Sequence, residues 1–204
     1  MKEKIKKIME NTWKMFCEYY DCQAPKYSKP LGVEEAKDSH WICWNEYDLM
    51  IQFGRFFYKK LDKINSNIEM HLERNLNYSF RGFDFDNKLE ELKKNLGRFP
   101  KVDLIIASED SVGSFLMCGE AKYFHYSVEA ISRGRQTVEE VIKKDIKTLS
   151  KIKDLGIAEN VAFIIFDDYY YLNEPEKCKK IKNLLEQHKK KIKILYHNSR
   201  AKLK

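Results

Sequence analysis

The chain is organised around the stretch PKVDLIIASEDSVGSFLMCGEAKYF, which occupies residues 100–124 of 204. It contains two apolar runs, 102–107 and 114–124, separated by the polar segment 108–113. Short apolar runs bounded by turn-forming residues are typical of buried β-strands, and two in succession predict a hairpin. Both faces of this hairpin would be largely apolar, so we expect other elements to cover it on both sides.

The charged residues of the hairpin are predicted to meet at one of its ends. If the turn is centred between Ser111 and Val112, antiparallel pairing places Asp103 opposite Glu120. Opposed residues share a face of the sheet, as do residues two apart on one strand, so Lys122 joins them. We expect the same face to carry Ile105, Ala107, Leu116 and Cys118, and the other face to carry Val102, Leu104, Ile106, Phe115, Met117 and Ala121.

Two neighbouring carboxylates on covered strands require a physical explanation, because buried charge is costly and like charges repel. A divalent cation would remove this conflict, and carboxylate oxygens are ligands that suit Mg²⁺. The alternative is that Lys122 pairs with one carboxylate while the other reaches solvent at the strand end. A register shifted by one residue would also separate the two, because Asp103 would then point to the opposite face.

The rest of the chain is predicted to alternate between helices and strands around this hairpin. We expect helices at 3–20, about 40–63, 87–96, 129–154 and 175–188, and strands at 68–73, 102–107, 114–124, 161–166 and 192–196. Asp38 or Ser39 is a candidate cap for the second helix, and Gly156 is a candidate stop for the fourth. This order predicts an α/β fold, an α/β/α sandwich with a central mixed sheet, in which antiparallel strands come first and helix crossovers follow.

The hairpin residues resemble the motif of the PD-(D/E)xK nuclease superfamily. Asp103 lies near the start of one strand, after Pro100, and Glu120-Ala121-Lys122 lies in the next strand. The family's core order of helix, three strands, helix and strand can be laid over about residues 40–167, which implies a restriction endonuclease-like core. The chain departs from the common pattern because Lys101-Val102 separate the proline from the aspartate.

The resemblance implies a role for each motif residue. Asp103 and Glu120 would bind Mg²⁺, or Mn²⁺ in its place, with help from the backbone carbonyl of Ala121. Lys122 would orient or activate the attacking water and offset negative charge on the phosphate. The implied activity is metal-dependent hydrolysis of phosphodiester bonds. We expect a DNA endonuclease, although the sequence leaves open RNA as the substrate and an exonuclease mode.

Residues outside the hairpin are also candidates for this site. Glu46 matches the helix glutamate that supplements the metal site in many members of the family, with Asp48 as the alternative. Arg133, Arg135 and Gln136 are predicted to open the helix after the motif strands and to contact phosphates of the nucleic acid. An ordinary exposed helix residue at 46 and a solvated first turn at 133–136 are the alternatives.

The chain is predicted to be one domain, 1–204. It has an N-terminal helix and loop at 1–37, the core, and a C-terminal helix and strand at 168–204. Its net charge of +7 favours a polyanionic partner, although a solvated lysine-rich surface would give the same value. Five scattered cysteines and the lack of a leader or membrane span predict a cytoplasmic protein. A homodimer or a larger assembly is compatible with the resemblance.

A second class of function stays open from the sequence. The chain could be a nucleic-acid-binding or protein-interaction module on a nuclease-like fold with weak or no catalysis, because a fold does not by itself imply an activity. The complete set of Asp103, Glu120 and Lys122 favours the enzyme, since a decayed site has no reason to retain buried charges.

Overall fold

The computed structural model describes residues 2–23, 43, 45–64, 67–77, 86–108, 113–124, 137–167, 172 and 178–198. Within these residues the chain forms five helices and five strands, in the order that the sequence predicts. They are α1 (Lys2–Gln23), α2 (Glu46–Leu61), β1 (Ile68–Asn75), α3 (Asp86–Leu96), β2 (Lys101–Ser108), β3 (Met117–Phe124), α4 (Val138–Asp154), β4 (Val161–Asp167), α5 (Lys179–His188) and β5 (Lys193–Asn198).

The five strands form one mixed sheet in the spatial order β1-β2-β3-β4-β5. β1 pairs with β2 and β2 with β3 in antiparallel fashion. β3 pairs with β4 and β4 with β5 in parallel fashion, and the intervening helices α4 and α5 supply the crossovers. The predicted mixed sheet, antiparallel first and parallel later, is therefore confirmed.

Two hydrophobic cores lie on opposite faces of the sheet. One contains the apolar sides of α1 and α2, and the other contains those of α3, α4 and α5. β4 contributes to both: Phe163 and Ile165 lie in the second core, while Ile164 and Phe166 lie in the first. Because side chains alternate along a strand, the apolar run 161–166 of this strand is covered on both faces. None of the described helices is long and apolar enough to cross a membrane.

The helix ends follow local capping chemistry. The side chain of Thr137 accepts a hydrogen bond from the backbone N–H of Glu140, whose own carboxylate accepts one from the N–H of Thr137. This reciprocal cap starts α4 at Val138. Gly156, at the φ of +63° that a C-terminal cap requires, follows the end of the helix as predicted.

Several predicted boundaries are wrong. α2 begins at Glu46 rather than at 40, because Asn45 caps it, and the predicted caps Asp38 and Ser39 lie outside the described residues. α4 begins at Val138 rather than at 129, and α5 begins at Lys179 rather than at 175. β3 begins at Met117 rather than at 114.

Three hairpin residues lie on the face opposite to the predicted one. Val102 and Phe115 pack in the core of α3–α5, and Leu116 packs in the core of α1 and α2. Phe115 and Leu116 precede β3, so strict alternation does not apply to them, and Phe115 forms an isolated parallel bridge with Ala158. Val102 lies just beyond a break in the pairing of β1 with β2.

That break is at Glu73, which has a φ of +56°. Leu72 pairs with Leu104 and Arg74 with Val102, but Glu73 and Asp103 between them do not pair. A side chain in this left-handed region costs about 1–2 kcal/mol, and glycine avoids the cost.

We therefore expect Glu73→Gly to be more stable than Glu73→Ala by about 1 kcal/mol, although both lose the same exposed ion pair with Lys101. Urea unfolding of the two variants measures the difference. Equal stabilities would show that the backbone at this position carries no strain.

Candidate active site

The charged end of the β2–β3 hairpin has the register that the sequence predicts. The two strands pair at Leu104–Gly119, Ile105–Cys118 and Ile106–Met117. The same register, continued by one residue, places Asp103 opposite Glu120. Gly119 permits this close approach, because a Cβ atom there would lie 3.3 Å from the Cβ of Leu104. The hairpin therefore brings the two carboxylates side by side.

Asp103 and Glu120 contact each other through their carboxyl groups. Oδ2 of Asp103 accepts a 2.6 Å hydrogen bond from the backbone N–H of Ala121, and the carboxyl group of Glu120, a residue that is 6% exposed, lies within hydrogen-bonding reach of Asp103. Burial raises the pKa of Asp103 to about 6, although Lys122 opposes the rise. Burial and the charge of Asp103 also raise the pKa of Glu120. The pair is an unfavourable concentration of negative charge that a proton or a cation relieves.

The ammonium group of Lys122 lies among three oxygen atoms. Nζ donates to Oε2 of Glu46 at 2.8 Å and to the carbonyl oxygen of Ala121 at 2.6 Å, and it lies 3.1 Å from Oδ2 of Asp145. Burial by itself would lower the pKa of this lysine, but Glu46 and Asp145 outweigh burial and raise it. An ammonium group has three donors and no acceptor, so these surroundings hold Lys122 as a cation.

Glu46 reaches the cluster from the start of α2. Asn45 has an extended backbone, and its Oδ1 accepts a 2.9 Å hydrogen bond from the backbone N–H of Asp48. This cap fixes the first turn, from which the 41% exposed side chain of Glu46 extends to Lys122. The structure thus places Glu46 at the predicted site, in contact with the lysine.

Asp145 is a member of the cluster that the sequence analysis did not identify. It lies on α4, and its side chain is 14% exposed. Its charge acts on both Lys122 and Glu120. A signal was available, because Asp145 falls between Ile142 and Leu149 on the apolar stripe of a helix, where a carboxylate is unusual.

The chemistry of Asp103 and Glu120 fits Mg²⁺ binding. Mg²⁺ is commonly held by one or two carboxylates, with water completing its octahedral coordination. Asp103 and Glu120 supply two such groups in contact, and their mutual repulsion favours a cation. The described part of the chain contains no group of three or more His, Cys, Asp or Glu side chains that could hold a metal. Among the other predicted ligands, the Ala121 carbonyl and Glu46 both accept hydrogen bonds from Lys122.

The predicted phosphate contacts Arg133, Arg135 and Gln136 lie outside the described residues. The helix that they were expected to open begins at Val138, after the cap at Thr137.

Acidification should stabilise the metal-free protein through this site. Asp103 and Glu120 bind protons more tightly in the folded chain than in the unfolded one, so their contribution is present at low pH and is lost as the pH rises through the folded pKa values. We expect the parent to gain on the order of 1–2 kcal/mol over Asp103→Asn between about pH 8 and about pH 5 in EDTA. Urea unfolding of both proteins at several pH values measures this gain. A parent that follows the variant at every pH would contradict it.

No family model, no curated protein and no solved structure matches this chain.

Proposed function

We propose that this chain is a metal-dependent nuclease of the PD-(D/E)xK superfamily with a restriction endonuclease-like core. The observation that carries the proposal is the contact between the carboxyl groups of Asp103 and Glu120 at one end of a buried hairpin, with the ammonium group of Lys122 beside them. An acidic pair and a lysine in this relation are what the superfamily's motif supplies. The proposed substrate is DNA, cleaved internally.

The order of the described elements supports the resemblance. The helix α2, the strands β1, β2 and β3 as neighbours, the helix α4 and the strand β4 follow the family's core order, with α3 added between the first two strands. β4 lies beside β3 and parallel to it. β3, whose carboxyl half carries the motif, therefore lies between β2 and β4 in the sheet.

The residues of the site have distinct roles in the proposed reaction. Asp103 and Glu120 would hold Mg²⁺, which when bound polarises a phosphoryl oxygen and lowers the pKa of a water ligand. Lys122, kept as an ammonium ion by its three oxygen neighbours, would place its positive charge beside the phosphate as negative charge develops there, and one N–H is not used by Glu46 or by the carbonyl of Ala121. Because it is protonated, Lys122 orients the attacking water rather than removing a proton from it.

Two further observations agree with the proposed setting. A net charge of +7 favours association with the DNA backbone. All five cysteines lie among the described residues and none forms a disulfide, which supports action in the reducing cytoplasm.

The direct test is cleavage of nucleic acid by the purified protein. Supercoiled DNA, single-stranded DNA and RNA are each incubated with Mg²⁺ or Mn²⁺, with EDTA as one control and Glu120→Gln, purified in parallel, as the control for contaminating nucleases. We expect the parent alone to nick supercoiled DNA, and only when the metal is present. Cleavage by both proteins would identify a contaminant. DNA binding without cleavage of any substrate would contradict the enzyme and favour the binding module.

A further inference from the structure

Asp145 occupies a position that ordinary helix packing does not explain. It lies on α4 between the buried residues Ile142 and Leu149 and next to the buried Ile146. Its side chain is only 14% exposed, and a buried carboxylate is rare in proteins unless a partner compensates its charge. The contacts of its carboxylate must therefore explain why an aspartate occupies this position.

What Asp145 contacts is the candidate active site. Its Oδ2 lies 3.1 Å from Nζ of Lys122, and this buried atom accepts no hydrogen bond from any described residue. A carboxylate oxygen without a hydrogen bond interacts with its surroundings chiefly through its charge. The charge of Asp145 acts on Lys122 and on Glu120. Asp145 is thus directed at the lysine rather than at the helix that carries it.

Lys122 is consequently held from both faces of the sheet. Glu46 reaches it from α2, whose apolar side packs in one core, and Asp145 reaches it from α4, which packs in the other. The two partners differ in exposure, because the side chain of Glu46 is 41% exposed and that of Asp145 is 14% exposed. Glu46 forms the hydrogen bond and has the larger effect on the charge of the lysine, whereas Asp145 adds a second negative charge from the opposite side, in a place that water screens less.

We propose that Asp145 is a positioning residue that holds the ammonium group of Lys122 in place beside Glu120. The part of this inference that concerns catalysis rests on the proposed nuclease function. Asp145 acts through the lysine: it fixes where the lysine's positive charge stands when the phosphate approaches. Displacing a catalytic group by about 1 Å can lower a rate about a hundredfold.

The kinetic test compares Asp145→Asn, Asp145→Glu and the control Asp154→Asn. Asp154 is on the same helix and pairs with Lys191 at the surface, so the control loses an ion pair away from the site. We expect Asp145→Asn to lower kcat about tenfold to a hundredfold with KM for DNA unchanged within about twofold, because the residue would not touch the substrate. Asp145→Glu retains the charge and should regain several-fold of the lost kcat, while Asp154→Asn should match the parent. An unchanged kcat in Asp145→Asn, or a glutamate variant no better than the asparagine one, would overturn the proposal.

A double-mutant cycle tests the contact without any activity. The four proteins are the parent, Lys122→Met, Asp145→Asn and the double variant, and the measurement is urea unfolding in EDTA. If Asp145 holds Lys122, removing the carboxylate should destabilise the parent but stabilise the methionine variant, where it is an unpaired buried charge. The coupling should be equivalent to a tenfold or larger change in the unfolding equilibrium constant. Additive effects would overturn the inference, whereas a clear coupling in a protein that cuts no nucleic acid would overturn only the proposed function.

Discussion

Asp103→Asn and Glu120→Gln are each expected to abolish Mg²⁺-dependent cleavage and, in EDTA, to make the protein more stable than the parent. Both effects have one cause, the contact between two carboxyl groups in a buried place. Each amide removes one charge and keeps the shape. The asparagine side chain can still accept the hydrogen bond from the N–H of Ala121, and the glutamine side chain can still donate one to Asp103.

The loss of cleavage and the gain in stability should both be large enough to measure. Loss of an anionic oxygen ligand should reduce cleavage below detection, because among the described residues Asp103 and Glu120 are the two carboxylates that contact each other and no third group completes a metal site. Relief of repulsion should raise the stability of the metal-free protein by about 1–2 kcal/mol, which is several degrees of melting temperature in a chain of this size. Saturating Mg²⁺ should raise the melting temperature of the parent but of neither variant, because a ligand stabilises only the protein that binds it.

Thermal melts and calorimetric titrations with Mg²⁺ on the three proteins measure these effects. Asp154→Asn serves as the matched control, since it removes a half-exposed carboxylate whose partner is Lys191. It should bind Mg²⁺ and cut DNA like the parent. If Mg²⁺ still raises the melting temperature of the variants, the cation binds elsewhere. Variants less stable than the parent in EDTA would show that the carboxyl pair is not a source of repulsion.

Lys122→Met should also lose cleavage, but unlike the acidic variants it should retain metal binding. The substitution removes a positive charge next to the acidic pair, so affinity for Mg²⁺ should hold or rise. Cleavage should fall by about 10²–10³-fold, the usual effect of deleting one group that stabilises charge in a transition state. In EDTA the variant should be destabilised by about 2–3 kcal/mol, less than for a fully buried pair, because the carboxylates of Glu46 and Asp145 lose their cation but are 41% and 14% exposed.

The control for this prediction is Lys191→Met, which breaks the surface ion pair with Asp154. Its cost should be below about 1 kcal/mol, because exposed ion pairs contribute little. Mg²⁺ should narrow the difference in stability between Lys122→Met and the parent, because the variant binds the cation at least as tightly, and should leave the difference between Lys191→Met and the parent unchanged. A Lys122→Met protein that cuts DNA at the parental rate would remove the lysine from the mechanism. One that no longer binds Mg²⁺ would reverse the assignment of ligands.

The sequence predicts the order of elements and the hairpin register because both depend on local pattern. A wholly apolar run as short as 161–166 is typical of a covered strand rather than a helix, and helical spacing in 3–20 is visible without any partner. The position of a symmetric turn fixes which residues of the hairpin oppose one another, so Asp103 and Glu120 could be paired from the sequence alone. Boundaries are less well determined, since Asp38, Ser39 and Asn45 are all good caps and nothing local chooses among them.

Alternation predicts the face of a residue only where a ladder holds the strand. Phe115 and Leu116 lie before β3 begins, and Val102 lies beyond the unpaired position at Glu73, so these three side chains take the faces that packing requires. The positive φ of Glu73 carries no sequence signal, because the residue that adopts it is not glycine.

The sequence by itself determined that Asp103, Glu120 and Lys122 lie on one face of the hairpin, since spacing along a strand and register across a hairpin are short-range properties. Only the tertiary structure determined how those charges are compensated. The ammonium group of Lys122 bonds Glu46, 76 residues earlier in the chain, and pairs with Asp145 on a helix packed against the other face. No local pattern encodes such contacts, because they depend on where whole helices dock on the sheet, and docking is governed by the burial of apolar surface over the entire chain.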